Sequence, residues 1–291
     1  MNLQIGVFLI MDIYRIISLE AFVDLLHNKR ERYVRPTTWD DNYEGYLFSK
    51  IENKEDRRKI IEEMYYNVCP RNYYATINNL FKLEHSKFFV YGQCWSTLFD
   101  SDALWRIYSY NNHAIQIKTT NIIIENMLKS NPDISHDIRE VKYDVEPEND
   151  LVKKQILQVK ENQKVYEPFF HKRKAFKHEA EVRVLIDDKR WYNASWMSTF
   201  EAKWKIDEKM QEFSEDIDRI NEIEKRLEVC MGRWVEKELC VNYYQPIKSL
   251  NRYISGVRVH PMAEKWYVEL IQGLCQKEEI KFDGRSNLYG M

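Results

Sequence analysis

Apolar residues recur along this chain with two different periods, and the switches between them mark its elements. The run from Gly6 to Tyr14 predicts a first strand, and Ser18 then stands where a helix N-cap belongs. Beyond it Leu19, Phe22, Val23, Leu25 and Leu26 fall on one helical stripe. Tyr33-Val34-Arg35 reads as a short extended run, closed by Pro36 and the turn-rich Trp39-Asp40-Asp41-Asn42. A second helix is predicted from about Glu55 to Val68, with Ile60, Ile61, Met64, Tyr65 and Val68 on its apolar face.

Strand-like blocks follow at Phe88 to Thr97 and His113 to Lys118, separated by a helical turn from Asp100 through Tyr108. Leu151 to about Phe176 reads as helix. Glu181 to Ile186 alternates charged and apolar residues, the pattern of a half-buried strand. The clearest stripe comes next: Ile206, Met210, Phe213, Ile217, Ile220, Ile223, Leu227, Cys230 and Trp234 are spaced only by threes and fours. A stripe of that length either covers its own core or packs on a partner helix. The tail predicts a strand (Tyr253 to Val259), a helix (Ala263 to Cys275) and a last short strand (Ile280 to Phe282). With no repeat and no linker in view, the pattern describes one α+β domain over 1–291.

Composition removes several classes. The 44 basic and 46 acidic residues give a net charge of −2, so nothing draws the whole chain toward nucleic acid or membrane. Only 8 glycines are present, and neither G-x-G-x-x-G nor G-x-x-x-x-G-K-[ST] occurs, so no phosphate loop of those kinds is expected. The 5 cysteines are widely spaced with no C-x-x-C, as in a reduced intracellular protein. No H-E-x-x-H or similar spacing suggests a metal site. The apolar start lacks a basic lead and is too short to span a bilayer, so a cytoplasmic, membrane-free protein is expected. Charge is uneven locally. Leu151–Lys177 carries eight Lys or Arg against two Glu, and Glu201–Cys240 twelve acidic against eight basic residues.

Four clusters could carry chemistry. Arg15 ends the first strand, and its planar fork suits phosphate or carboxylate as well as a plain ion pair. In Pro36–Glu44, Trp39 and Tyr43 offer flat faces for a base or nicotinamide ring, although the acidic and amide residues suffice to build a loop. Cys94-Trp95-Ser96-Thr97 ends a strand, where a cysteine without a nearby histidine reads as a small buried hydrophobe. In His178-Glu179-Ala180-Glu181-Val182-Arg183, a strand would set Glu179, Glu181 and Arg183 on one face. That set is either a solvated face or a carboxylate pair held by Arg183. The basic stretch includes Lys172, Arg173 and Lys174, which would bring phosphates to that strand or simply face water.

Taken in order, these are Tyr-Arg before the first helix, Pro-x-x-Trp-Asp-Asp-x-x-Glu, Cys-Trp-Ser, Leu-Trp-x-x-Tyr and Phe-Lys-His-Glu-x-Glu-x-Arg. The series resembles a large bacterial and phage family known only as a domain of unknown function, from roughly Tyr14 to Val259. The chain departs from its usual Asn-Asp-Pro at Asp41-Asn42-Tyr43, and from a glycine around His113-Ala114. More distantly, a first-strand Arg, a Ser-bearing middle strand and a late Glu-x-Glu strand are similar to ADP-ribosyltransferases, among them toxins that modify DNA or RNA. That resemblance implies an ADP-ribosyltransferase-like split β-sheet core, with helical insertions here at about 50–85, 150–176 and 204–235. It implies NAD as co-substrate and no metal. Arg15 would contact NAD, Ser96 would position it, Glu181 would be catalytic and Glu179 would orient the acceptor.

The expectation is therefore an intracellular NAD-dependent ADP-ribosyltransferase, a toxin or phage-defence effector with a nucleic-acid acceptor and an antitoxin or chaperone partner. The alternative is a non-catalytic sensing or partner-binding module of a defence or toxin–antitoxin complex.

Overall fold

The computed structural model describes residues 9–41, 44, 50–145, 167–191, 215–235 and 240–290. In chain order its strands are β1 (Asp12–Ile17), β2 (Arg30–Val34), β3 (Val90–Ser96), β4 (Ile115–Thr120), β5 (Ile134–Glu140), β6 (Lys142–Val145), β7 (His171–Arg173), β8 (Glu181–Asp188), β9 (Asn242–Pro246), β10 (Gly256–Val259) and β11 (Phe282–Arg285). Nine of them make one mixed sheet in the order β11-β10-β4-β1-β3-β2-β9, with β8 against β3 and β5 outside β8. β6 and β7 form a separate parallel pair. With helices on both faces, the architecture is α+β.

The edges of β3 shape everything that follows. One edge is paired along its whole length by β8, from Val90–Asp187 to Ser96–Glu181. The other is shared: β2 meets it only at Val34–Gly92, and β1 only at Tyr14–Ser96. Between those two contacts the sheet parts.

The helices are α1 (Leu19–Asn28), α2 (Lys54–Glu63), α3 (Tyr73–Phe89), α4 (Asp102–Tyr108), α5 (Asn121–Lys129), α6 (Asp216–Val235) and α7 (Lys265–Lys277). Ser18 caps α1 as its sequence position predicts, its Oγ accepting from the Ala21 amide at 3.2 Å. Phe22, Leu25 and Leu26 of that helix are buried, while Val23 faces out. α1, α5 and α7 cover one face of the sheet through Phe22, Ile124, Leu128, Tyr267 and Ile271. α2, α3 and α6 form a second apolar cluster over Val90 and Leu185 on the other face.

Several elements differ from their predicted form. α2 continues as one π-turn, Met64–Val68, closed by the Cys69 amide on the Met64 carbonyl at 2.7 Å. The helix expected up to Phe176 is absent over its described part, where two 3-10 turns flank β7; residues 151–166 lie outside the described residues. β8 is buried on both faces rather than half-buried, because the second helical layer covers the face that carries its charges. Tyr253 closes a helical turn (Leu250–Tyr253) and the last strand starts at Phe282.

The long stripe covers its own core. Ile220, Ile223 and Leu227 of α6 are buried against α2 and α3, each burial contributing roughly 1.5–3 kcal/mol. Ile206, Met210 and Phe213 lie outside the described residues. Among the described residues no helix is long and apolar enough to cross a membrane.

One polar side chain sits awkwardly in the second cluster. Glu84 of α3 is 1 % exposed, with no hydrogen-bond partner for either carboxylate oxygen among the described residues. Burial pushes its pKa up to about 7 from 4.5. A raised acid pKa means the folded state holds its proton longer than the unfolded chain. The stability linked to that proton is present below about pH 4.5 and is lost as pH rises through about 7, by on the order of 3 kcal/mol. Glu84→Gln should therefore raise the thermal midpoint at pH 8 and change it little at pH 4.5. Equal shifts at both pH values in thermal unfolding would contradict this assignment.

Candidate functional site

The row Tyr14–Ser96–Glu181 runs across β1, β3 and β8 at one end of the gap in the sheet. Directly paired residues share a face, so these three side chains stand together, with Cys94 and Arg183 in the next row. Charges are concentrated here. Arg183 is fully buried, its Nε donating to Glu181 Oε1 at 2.7 Å and its Nη1 to the Phe169 carbonyl at 2.5 Å. Its Nη2 reaches Glu181 Oε2 at 3.2 Å and Glu44 Oε2 at 2.7 Å. Lys172, on β7, places Nζ 2.7 Å from Glu179, 3.1 Å from Glu181 and 3.3 Å from Glu44.

Three carboxylates and two cations thus interlock in a largely buried cluster. Burial opposes each charge, and at Glu181 and Lys172 the partners overcome it. Glu181 is held at about 2 by Arg183 and Lys172 against the burial that would raise it. The pKa of Lys172 is raised, despite burial, by Glu181, Glu44 and Glu179. Glu44 keeps a raised pKa because burial outweighs the pull of Arg183 and Lys172. Burial, then Glu181, push the Cys94 thiol well up, which suits the reading of a small neutral side chain rather than a nucleophile.

The backbone is turned to make this cluster. Glu179 ends a 3-10 turn and Ala180 is left-handed, with φ 42° and ψ 54°. Glu179 is therefore not in the strand, as the alternation pattern predicts, but just ahead of it. The kink brings its carboxylate onto the same ammonium as Glu181. β3 pins the turn: Ser96 Oγ donates to the Glu179 carbonyl at 2.6 Å and the Thr97 amide to the Ala180 carbonyl at 3.0 Å.

Two cavities meet the site. The smaller, about 170 Å³, is lined by Tyr14, Arg15, Cys94, Ser96, Tyr108, Glu179 and Glu181 among others. The larger, about 510 Å³, opens at the unpaired edge of β3 and is lined by Arg15, Ser18, Arg32, Trp39, Gly92 and Cys94 among others. That volume is ordinary for a small-molecule site. Arg15 and Cys94 belong to both walls.

The predicted residues divide accordingly. Ser96, Glu179 and Glu181 come together. Arg15 shares their cavity, but alternation turns its side chain to the other face. There it pairs with Glu31 at 2.9 and 3.0 Å and stacks on Trp95 at 4.8 Å, with Nε buried and without a partner among the described residues. Trp39 lies over the Arg183 guanidinium at 4.6 Å, and Tyr43 lies outside the described residues.

Within the basic trio, Lys172 needs correction. Lys172, only 7 % exposed, points into the carboxylates instead of presenting a charge to phosphates. Arg173 pairs with Asp41 at 2.8 Å, and Lys174 is exposed. Sequence reasoning did not single out Glu44, although it closes the Pro-x-x-Trp-Asp-Asp-x-x-Glu motif. It also missed Tyr143, whose hydroxyl accepts from the Glu181 amide at 2.8 Å.

With these motifs placed, the comparison with known families becomes informative. Residues 104–184 match the family described as Protein of unknown function (DUF2971). That span holds Leu-Trp-x-x-Tyr, Lys172 and Glu-x-Glu-x-Arg, and leaves Arg15, Trp39 and Ser96 outside it. No curated protein and no solved structure matches the chain.

Two substitutions probe the construction. Arg183→Leu leaves Lys172 alone to neutralise Glu44, Glu179 and Glu181 and should cost about 3–5 kcal/mol in denaturant unfolding. A loss below about 1 kcal/mol would mean that the cluster is not held by Arg183. A Cβ at Gly92 would stand 2.7 Å from the Trp39 ring and 2.9 Å from Leu185. Gly92→Ala should displace the indole from Arg183 and cost about 1–3 kcal/mol. Unchanged tryptophan fluorescence and melting temperature would show that the contact is not tight.

Proposed function

We propose that this protein is a NAD-dependent ADP-ribosyltransferase acting inside the cell as a toxin or phage-defence effector. One observation carries the reading. Two carboxylates, Glu179 and Glu181, line a small cavity beside Ser96 where the sheet parts, next to a larger cavity that shares Arg15. Breaking the nicotinamide–ribose bond leaves positive charge on the ribose ring, and fixed carboxylates in a water-poor site stabilise it. The larger cavity would receive the rest of the dinucleotide, with Arg15 and the exposed Arg32 suited to its phosphates. The parting of the sheet supports an ADP-ribosyltransferase-like split core.

The acceptor in this reading is nucleic acid, with Lys174 rather than Lys172 on the outer surface to meet phosphates. An antitoxin or chaperone would restrain the activity until it is needed. The competing reading is a non-catalytic sensing or partner-binding module. In its favour, Arg183, Lys172 and Glu181 are already paired with one another, as in a purely structural strut.

The test is transfer of label from adenylate-labelled NAD to mixed RNA, DNA and protein. Wild type is compared with a Glu179→Gln, Glu181→Gln double variant whose folding is checked by circular dichroism. Label in nucleic acid that disappears in the variant is the expected result. Nicotinamide release without transfer would make the protein a NAD hydrolase. Neither signal from folded wild type would overturn the reading in favour of the binding module.

A further inference from the structure

We propose that the carboxylate that meets the reacting centre is Glu179, and that Glu181 and Ser96 are positioning residues that hold it there. This assignment rests on the transferase reading and reverses the order that the Glu-x-Glu resemblance implies. The two side chains differ in what remains for a substrate. Both oxygens of Glu181 are engaged, Oε1 by Arg183 Nε at 2.7 Å and Oε2 by Lys172 at 3.1 Å and Arg183 Nη2 at 3.2 Å. A carboxylate clamped by a guanidinium and an ammonium presents little net charge to anything outside the clamp. Glu179 has one such contact, Oε2 to Lys172 at 2.7 Å, and its Oε1 takes no hydrogen bond among the described residues. It lines the same cavity.

The supporting atoms are arranged around Glu179 as well. The Ser96 hydroxyl donates its one proton to the Glu179 carbonyl at 2.6 Å and accepts from the Leu98 amide at 3.0 Å. It is therefore committed to the turn and not to a ligand. The left-handed Ala180 is a sterically sparse conformation for a residue with a Cβ. It persists because the Thr97 amide holds the Ala180 carbonyl. Glu181 then fixes Lys172, and Lys172 fixes one oxygen of Glu179, so that the other is aimed.

Nicotinamide release from NAD by wild type, Glu179→Gln, Glu181→Gln and Ser96→Ala tests this, with melting temperatures measured alongside. Glu179→Gln should lower kcat by about 100-fold or more in a protein that still unfolds cooperatively, the scale for a group acting on developing charge. Glu181→Gln should lower kcat less, with KM for NAD unchanged. Ser96→Ala should likewise lower kcat with KM for NAD unchanged.

Should Glu181→Gln not fold, Glu181→Asp keeps the charge and should stay within about tenfold of wild type. Glu179→Gln near wild-type rate, or Glu181→Asp as inactive as Glu179→Gln, would overturn the assignment while leaving the transferase reading intact. A folded wild type that releases no nicotinamide would overturn both.

Discussion

One buried ammonium ties the molecule together. Lys172 touches Glu44, Glu179 and Glu181, and Arg183 closes the circle by reaching Glu44 and Glu181. Those groups come from the segment carrying Glu44, from β7, from the turn before β8 and from β8 itself. None tolerates burial alone, and each is stable only while the others are present. The relative placement of these segments is thus set by charge pairing, while the apolar clusters on either side of the sheet supply the stability that keeps the charges dry.

This has a direct bearing on the chemistry. The proposed stabilisation of a short-lived cation would need charges already held in place, and here the ions hold one another. This mutual hold also explains why the cavity walls mix functions. Cys94 and Ser96 are ladder residues that face the cluster, Trp39 covers Arg183, and Tyr143 receives the first amide of β8. Each of them orders a charged neighbour.

Local signals were legible and long-range ones were not. Ser18 before a helical stripe, and the spacing of Ile220, Ile223 and Leu227, state their structure within a few residues. β8 shows where such reasoning stops. Its Glu-Val-Arg-Val start reads as a wet face, and only the covering helices reveal that Arg183 is among the most buried side chains of the chain. The basic run misled for the same reason. Counting charge along the sequence cannot show that Lys172 turns inward while Lys174 does not. Ala180 gives no sign of its left-handed backbone, since that conformation usually calls for glycine or asparagine. Short strands such as β9, Asn-Tyr-Tyr-Gln-Pro, carry too little alternation to be recognised without β2 beside them. The first-strand arginine was found by position, but strand alternation aims it at Glu31, a partner that no motif names.

The uneven sharing of the β3 edge has a consequence for the birth of the protein. β3 is synthesised early, yet its full-length partner β8 arrives only after more than half of the chain has been made, and β9, which flanks β2, later still. Translation proceeds at about 5–20 residues per second, so a nascent chain passes many seconds with Ser96 displayed and no carboxylate opposite it. The charge cluster around Lys172 and Arg183 therefore cannot assemble on β3 until β7 and β8 have been made.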